Sequence, residues 1–353
     1  MTITPVKTQP LLDVRNVSKS FVQRRNHFGR PIERVHAVDD VSFTIRAGET
    51  LGLVGESGSG KSTLGRVIVG LTPADSGTVY VAGEDLLTMS RREMRQRRRE
   101  IQMIFQDPLA SLDPTKRIRD SVAEPLVIFD DLSKRELSSR VSELLERVNL
   151  GPHHLDRYPA ELSGGQRQRV SIARALALGP QLIVADEAVS ALDVSTQAEV
   201  INLLQRLQAE QDLTYLFISH NLAVIRHVST RIAVMYLGRI VEEGPAAQVY
   251  DEPLHPYTQV LLAAVPDMGQ VPEARKRIII GGDVPDPANP PPGCNFSGRC
   301  PHAMAMCFEV DPTLMQRRED SSVACHLHDH GPALGAASVD SLAVPVRASK
   351  LGR

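Results

Sequence analysis

The 353-residue chain contains no tryptophan, and aromatic residues make up only 4 % of it, so aliphatic side chains must build its core. Cysteine is absent from the first 293 positions, and all four cysteines lie between Cys294 and Cys325. That distribution excludes a disulfide framework running through the fold and points to one local thiol site. Excess charge is missing too: 40 Lys+Arg against 42 Asp+Glu leave a formal net charge of −2, which excludes a strongly basic nucleic-acid binder as the default. No apolar run approaches the roughly 18 residues of a membrane-spanning helix, so work at a membrane would be peripheral. Met1–Pro10 reads as a loose tail without the apolar stretch of a secretory signal. The remaining composition, 42 % hydrophobic and 23 % charged, is that of a globular protein, and the length suits about two domains.

Strand-like runs at Leu11–Val17 and Val38–Ile45 flank the polar stretch Gln23–Arg34, which reads as a surface loop. Leu51–Val54 is a short aliphatic strand entering a glycine turn, followed by helical spacing at Leu64, Val67 and Ile68. Residues 90–165 read as a mainly helical insert: Lys134–Leu150 carries apolar residues at 137, 141, 144, 145 and 148. The six arginines of Arg91–Glu100 read as a solvated helix face, since no aromatics interleave them. Strand and helix then alternate through Gln181–Ala185, a helix at Ser195–Gln211 capped by Ser195, Thr214–Ser219 and Arg231–Tyr236. This alternation predicts an α/β fold with a largely parallel sheet. Proline becomes dense at Pro285–Pro292, and 331–353 reads as a disordered tail.

Gly55-Glu56-Ser57-Gly58-Ser59-Gly60-Lys61-Ser62, followed by Thr63, fits G-x-x-x-x-G-K-[ST] between a strand and a helix. Glycines let successive N–H groups converge on one anion, and the helix N-terminus adds partial positive charge. Lys61 would reach the β- and γ-phosphates of a nucleotide, and the Ser62 hydroxyl would ligate Mg²⁺. The aliphatic strand Leu182–Ala185 ends in Asp186-Glu187: Asp186 would hold the metal through water, and Glu187 would polarise the attacking water. Gln106 carries an amide able to sense metal and water, and His220 follows the strand Leu216–Ser219 at its end. Leu162-Ser163-Gly164-Gly165-Gln166, opening a helix with Arg167 and Arg169, makes a second anion site. Two such loops on one chain make sense if two chains share nucleotides.

In order, the phosphate loop, Gln106, Leu162–Gln166, Asp186-Glu187, Ser190-Ala191-Leu192-Asp193 and His220 resemble the motifs of ATP-binding-cassette (ABC) ATPases over about residues 10–265. The resemblance implies a head-to-tail dimer in which Ser163, Gly164, Gly165 and Gln166 of one subunit close over ATP held by Lys61 of the other. Phe21 matches the position where the family stacks an aromatic ring on adenine. Ala188 departs from the proline usual after the catalytic carboxylate, with a small geometric effect expected.

Other segments resemble the ATPases of peptide and nickel importers: Phe28-Gly29-Arg30 before Val35–Val38, Ser62–Arg66, His255-Pro256-Tyr257-Thr258, Gly293–Phe296 and Arg299-Cys300-Pro301. The combination is similar to the second of the paired ATPases such importers carry. It implies a heterodimer with a related ATPase, two membrane-spanning permeases and an external solute-binding protein, on the cytoplasmic face of the plasma (inner) membrane. The cysteine spacing C-x5-C-x6-C-x17-C lacks the C-x-x-C pairs of common zinc sites. Four thiolates suit a [4Fe–4S] cluster, which the resemblance implies at Cys294, Cys300, Cys307 and Cys325, with Zn²⁺ as the alternative. Nearby His302, His326 and His328 read as solvated surface residues.

The expected architecture is thus an ABC-type P-loop nucleotide-binding domain over 11–265 with a helical subdomain at about 90–165, and a small cysteine-containing extension over 266–330. The expected activity is ATP hydrolysis coupled to uptake of di- or oligopeptides. A soluble cassette serving translation or DNA repair is the rival, although the chain has a single motif set and no long coiled-coil insertion. Nickel and glutathione remain open as cargo.

Overall fold

The structure, a computed structural model, describes residues 9–25, 31–264 and 285–330. Phe28-Gly29-Arg30, the tail 331–353 and all but the last two residues of 1–10 lie outside the described residues. Strands β1 (Leu12–Arg25) and β2 (Pro31–Ile45) pair antiparallel and are longer than the apolar runs suggest. The stretch expected as a loop supplies their far ends, with Val22 opposite Arg34 and Arg24 opposite Glu33. Main-chain pairing at the end of a ribbon needs no apolar face, so composition carries no sign of it.

β3 (Thr50–Val54) is buried along its length and runs through the glycine turn into α1 (Lys61–Ile68). β4 (Ser76–Val81) and β5 (Glu84–Asp85) complete a four-stranded sheet of order β2-β1-β4-β5. α2 (Arg91–Arg97) starts at a Ser90–Glu93 capping box. Two of the six arginines in the run are ion-paired among the described residues: Arg97 meets Glu84 and Glu100, and Arg99 meets Asp130 at 2.7 Å. β6 (Ile101–Ile104) departs from the helical reading of 90–165, because it joins the parallel sheet beside a strand 81 positions later in the chain. Four residues are too few to show a period.

Helices α3 (Pro108–Ser111), α4 (Ile118–Phe129) and α5 (Lys134–Arg147) follow, and α5 buries Val141, Leu144 and Leu145 as its periodicity predicts. α6 (Gly164–Leu176), β7 (Leu182–Asp186), α7 (Val194–Gln211), β8 (Thr214–Ser219), α8 (Leu222–Val228) and β9 (Arg231–Tyr236) alternate. α7 is capped by Asp193, which accepts the Thr196 N–H at 3.0 Å, and not by Ser195, whose hydroxyl donates to Asp193 instead. A carboxylate satisfies an orphan N–H at a helix N-terminus and also complements its dipole.

β10 (Arg239–Pro245) turns back antiparallel and leads to α9 (Ala246–Asp251) and α10 (Pro256–Ala263). β11 (Met315–Arg318), β12 (Ser321–Val323) and α11 (Leu327–His330) belong to the C-terminal region, where β12 adds to the edge of β10. The larger sheet is therefore mixed, of order β11-β12-β10-β9-β3-β8-β7-β6, parallel from β9 to β6 and antiparallel beyond. Alternate strand residues serve opposite cores. Leu182, Val184, Leu216 and Ile218 pack with α1 and the smaller sheet, while Ile183, Ala185, Tyr215 and Phe217 pack with α6 and α7. The C-terminal ends of β3, β7 and β8 consequently lie side by side, where ligands of such sheets bind. Among the described residues no helix is long and apolar enough to cross a membrane.

Candidate functional site

β3 delivers the loop Gly55–Ser62 to the N-terminus of α1, which has no side-chain cap. Gly60 sits at φ 101°, and a Cβ there would stand 1.8 Å from the Ala37 carbonyl oxygen, so both conformation and space demand glycine. Lys61 is buried, and its ammonium donates to the carbonyls of Gly55 and Glu56, each at 2.8 Å, and to the Ser59 hydroxyl at 3.2 Å. Burial lowers its pKa, against the opposing pull of Glu187, Asp186 and Glu56. The loop thus keeps a cation at its centre, with main-chain carbonyls as its partners.

Ser62, one residue on, donates its hydroxyl to Asp186 at 2.7 Å across 124 positions of sequence. Burial pushes the Asp186 carboxyl up, and the Ser62 hydrogen bond counters it. A hydroxyl and a carboxylate converging between β7 and α1 form the hard-oxygen set that suits Mg²⁺. Glu187 follows β7 in a left-handed conformation, φ 46°, a strain of about 1–2 kcal/mol for a non-glycine residue. Its carboxylate is held on both oxygens: Gln106 donates to Oε2 at 2.8 Å, and His220 Nδ1 meets Oε1 at 3.2 Å. Ala188 is buried, and the turn after Glu187 closes through both the Ser190 N–H and hydroxyl onto the Glu187 carbonyl.

Ser163–Gln166 opens α6. Ser163 accepts the Gln166 N–H at 3.2 Å, and the Gln166 side chain accepts the Ser163 N–H at 2.9 Å, a reciprocal cap on α6. Gly165 presses on α7, where a Cβ would stand 2.2 Å from Thr196 Cγ2. Among the described residues no hydrogen bond or ion pair joins Ser163–Gln166 to the loop Gly55–Ser62; Gln166 turns to His154 instead. Phe21 is 45 % exposed on β1, with the Lys19 ammonium 5.5 Å from its ring, and so is not a core residue. Thr63 follows Ser62 in α1.

Residues 38–190 match the family described as ABC transporter, and residues 241–307 match the oligopeptide/dipeptide transporter C-terminal region. The chain is 49 % identical over 330 residues to the oligopeptide transport ATP-binding protein AppF of Bacillus subtilis, covering 92 % of this chain and all of that one. The chain belongs to the ATP-binding proteins of oligopeptide/dipeptide ABC transporters. It is also 49 % identical to OppF of Salmonella typhimurium, over 86 % of this chain and 92 % of that relative. Among solved structures, the dimeric post-hydrolysis state of the ATP-binding cassette MJ0796 bound to ADP and Pi is 31 % identical, with a TM-score of 0.60, over 67 % of this chain and 98 % of that one.

In this cassette the C-terminal region reaches the phosphate loop itself, which sequence reasoning missed. Arg299 forks onto the Glu56 carboxylate at 2.9 and 3.1 Å, and the Tyr257 hydroxyl accepts the Glu56 N–H at 2.8 Å. Tyr257 and Arg299 belong to segments that signalled only a subgroup, and nothing local in either shows that it touches position 56.

The four cysteines are free thiols, and the Cys294 N–H donates to the Cys307 carbonyl at 2.8 Å. Burial pushes Cys294 and Cys300 up to about 11 and Cys325 up to about 12, and the thiols reinforce one another electrostatically. The donors are soft and mutually close, yet among the described residues no three Cys, His, Asp or Glu side chains converge tightly enough to hold a metal ion. The arrangement as it stands therefore does not fit a closed cluster site. Two of the three histidines also differ from the solvated reading. His326 is buried against the Val310 carbonyl at 2.9 Å, and His328 meets the Leu254 carbonyl at 3.0 Å. His328 thereby docks the extension onto the cassette, and His326 ties two parts of the extension together.

Proposed function

We propose that this chain is the ATP-hydrolysing motor subunit of a di- or oligopeptide importer, peripheral on the cytoplasmic face of the plasma membrane. The observation that carries the proposal is the Glu187 carboxylate, fixed between Gln106 and His220 beside the Ser62–Asp186 pair. ATP would lie with its phosphates on the Gly55–Thr63 loop and its adenine against the exposed Phe21 ring. Mg²⁺, when bound at Ser62 and Asp186 with Gln106 nearby, offsets the phosphate charge. Glu187 accepts a proton from water, the water oxygen bonds to the γ-phosphorus, and the bond to the ADP oxygen breaks. Gln106 and His220 aim the carboxylate, and Lys61 leaves its carbonyl partners for phosphate oxygens.

Ser163, Gly164, Gly165 and Gln166 would cap the nucleotide of a partner cassette. Two points support this: among the described residues they make no hydrogen bond or ion pair to the loop Gly55–Ser62 of their own chain, and a related cassette is dimeric with ADP and Pi. The partner is read as a related but distinct ATPase, with two permeases and a solute-binding protein completing the assembly. Division into a cassette over 11–265, with its helical subdomain at about 90–165, and an extension over 266–330 is part of the same proposal. So is a [4Fe–4S] cluster, or Zn²⁺, on Cys294, Cys300, Cys307 and Cys325: the confinement of all four thiols to one segment supports it, although their present arrangement is not closed around a metal, and no step of hydrolysis runs through it. The match at 241–307 disfavours a soluble role in translation or DNA repair. The test is vesicles holding the chain with its permeases and partner ATPase. Binding protein loaded with peptide should stimulate ATP hydrolysis; stimulation by nickel or glutathione alone would overturn the peptide assignment.

A further inference from the structure

Glu56 is held from three directions. The Tyr257 hydroxyl accepts its N–H at 2.8 Å, Lys61 donates to its carbonyl at 2.8 Å, and Arg299 clasps both carboxylate oxygens from 243 positions away. Arg299 also donates to the Tyr236 hydroxyl at 3.3 Å, and its side chain is 9 % exposed. It stands on the turn Ser297–Arg299, next to Phe296, whose ring packs against Tyr236 at 5.4 Å and Tyr257 at 5.5 Å. All three aromatic rings are fully buried. The contact is therefore part of a packed wall, with the guanidinium end-on to the loop.

A carboxylate inside a loop that receives a triphosphate repels it unless a cation offsets the charge. A bidentate guanidinium supplies that offset and fixes the carboxylate's plane, which a lone ammonium does not. We infer that Arg299 is a positioning residue for nucleotide binding: through Glu56 it neutralises and orients the phosphate loop, making the C-terminal extension a working part of the ATP site. The inference rests on the reading that ATP phosphates occupy this loop.

The experiment uses the full chain for binding of a fluorescent ATP analogue with Mg²⁺, and the assembled transporter for KM and kcat. Arg299→Gln should weaken nucleotide binding and raise KM about tenfold while kcat stays within about threefold. Arg299→Lys should lose less, because the charge remains without the fork. The double variant Glu56→Gln/Arg299→Gln should recover binding to within about threefold of the wild type, because the uncompensated carboxylate is gone. A merely structural Arg299 would not be rescued by removing its partner. Wild-type binding by Arg299→Gln, or a double variant no better than the single one, overturns the inference. Should Arg299→Gln fail to fold, the double variant is compared with Arg299→Lys: equal binding supports the inference, and lost binding in a folded double variant overturns it. If the wild type itself binds no MgATP, the nucleotide reading falls and this inference with it.

Discussion

Gln106 donates its side-chain amide to Glu187 Oε2 at 2.8 Å, although 81 residues separate them. Gln106 follows β6, the strand that lies against β7, so the register of those two strands sets the contact. With His220 on the other oxygen, Glu187 is held in one orientation despite its left-handed backbone. The position before the helical segment is thereby tied to the carboxylate proposed to drive hydrolysis.

Glu187→Gln keeps the size of the side chain and removes the proposed base. Hydrolysis should fall by roughly 100-fold or more while ATP binding persists. Size-exclusion chromatography with MgATP should then show a trapped dimer of cassettes. Retained turnover would remove Glu187 from the role proposed here.

A pH effect on stability follows from His255. It is fully buried, and its Nδ1 accepts the Tyr257 N–H at 3.0 Å. Burial, helped by neighbouring His328, holds its pKa down to about 3 from an ordinary 6.5. An unfolded chain takes up a proton that the folded imidazole refuses, so this contribution is present above pH 6.5 and is lost as pH falls toward about 3. The slope reaches about 1.4 kcal/mol per pH unit. Glu242 faces the same segment, accepting the N–H groups of Leu254 and His255 at 2.7 and 2.8 Å. Burial pushes it up to about 7, so it acts with the opposite sign, losing its contribution as pH rises from 4.5. His255→Asn keeps a cap acceptor without the titration. Its melting temperature between pH 7 and 5 should fall by roughly 2 °C per pH unit less than that of the wild type. Parallel curves for the two proteins would refute the assignment.

The sulfur lobe has a direct spectroscopic test. Anaerobically purified protein carrying a [4Fe–4S] cluster should be brown, with visible absorbance and bound iron that Cys300→Ser diminishes. Colourless protein with stoichiometric zinc selects the alternative ligand. Protein free of both metals, with four titratable thiols, removes the metal proposal altogether.

What could be read in advance was local. The Gly55–Ser62 loop needs particular residues at particular backbone angles, as Gly60 at φ 101° illustrates, so its spacing survives in the sequence as a pattern. α5 was legible for the same kind of reason, since its buried face repeats at the helical period. The far ends of β1 and β2, the strand β6 and the Asp193 cap were misread, because main-chain pairing and competition for one N–H leave little trace in composition.

The sequence by itself therefore determined which groups can do the chemistry: a lysine on a glycine loop, a strand ending in two carboxylates, a second serine-glycine loop, and four thiols in one segment. Tertiary structure decided who meets whom. Sheet order brought Gln106, Glu187 and His220 together, and folding back of the chain set Arg299 on Glu56. Backbone preferences act over a few residues and leave patterns. Contacts across 81 or 243 positions are set by packing of the whole chain, which no short stretch encodes.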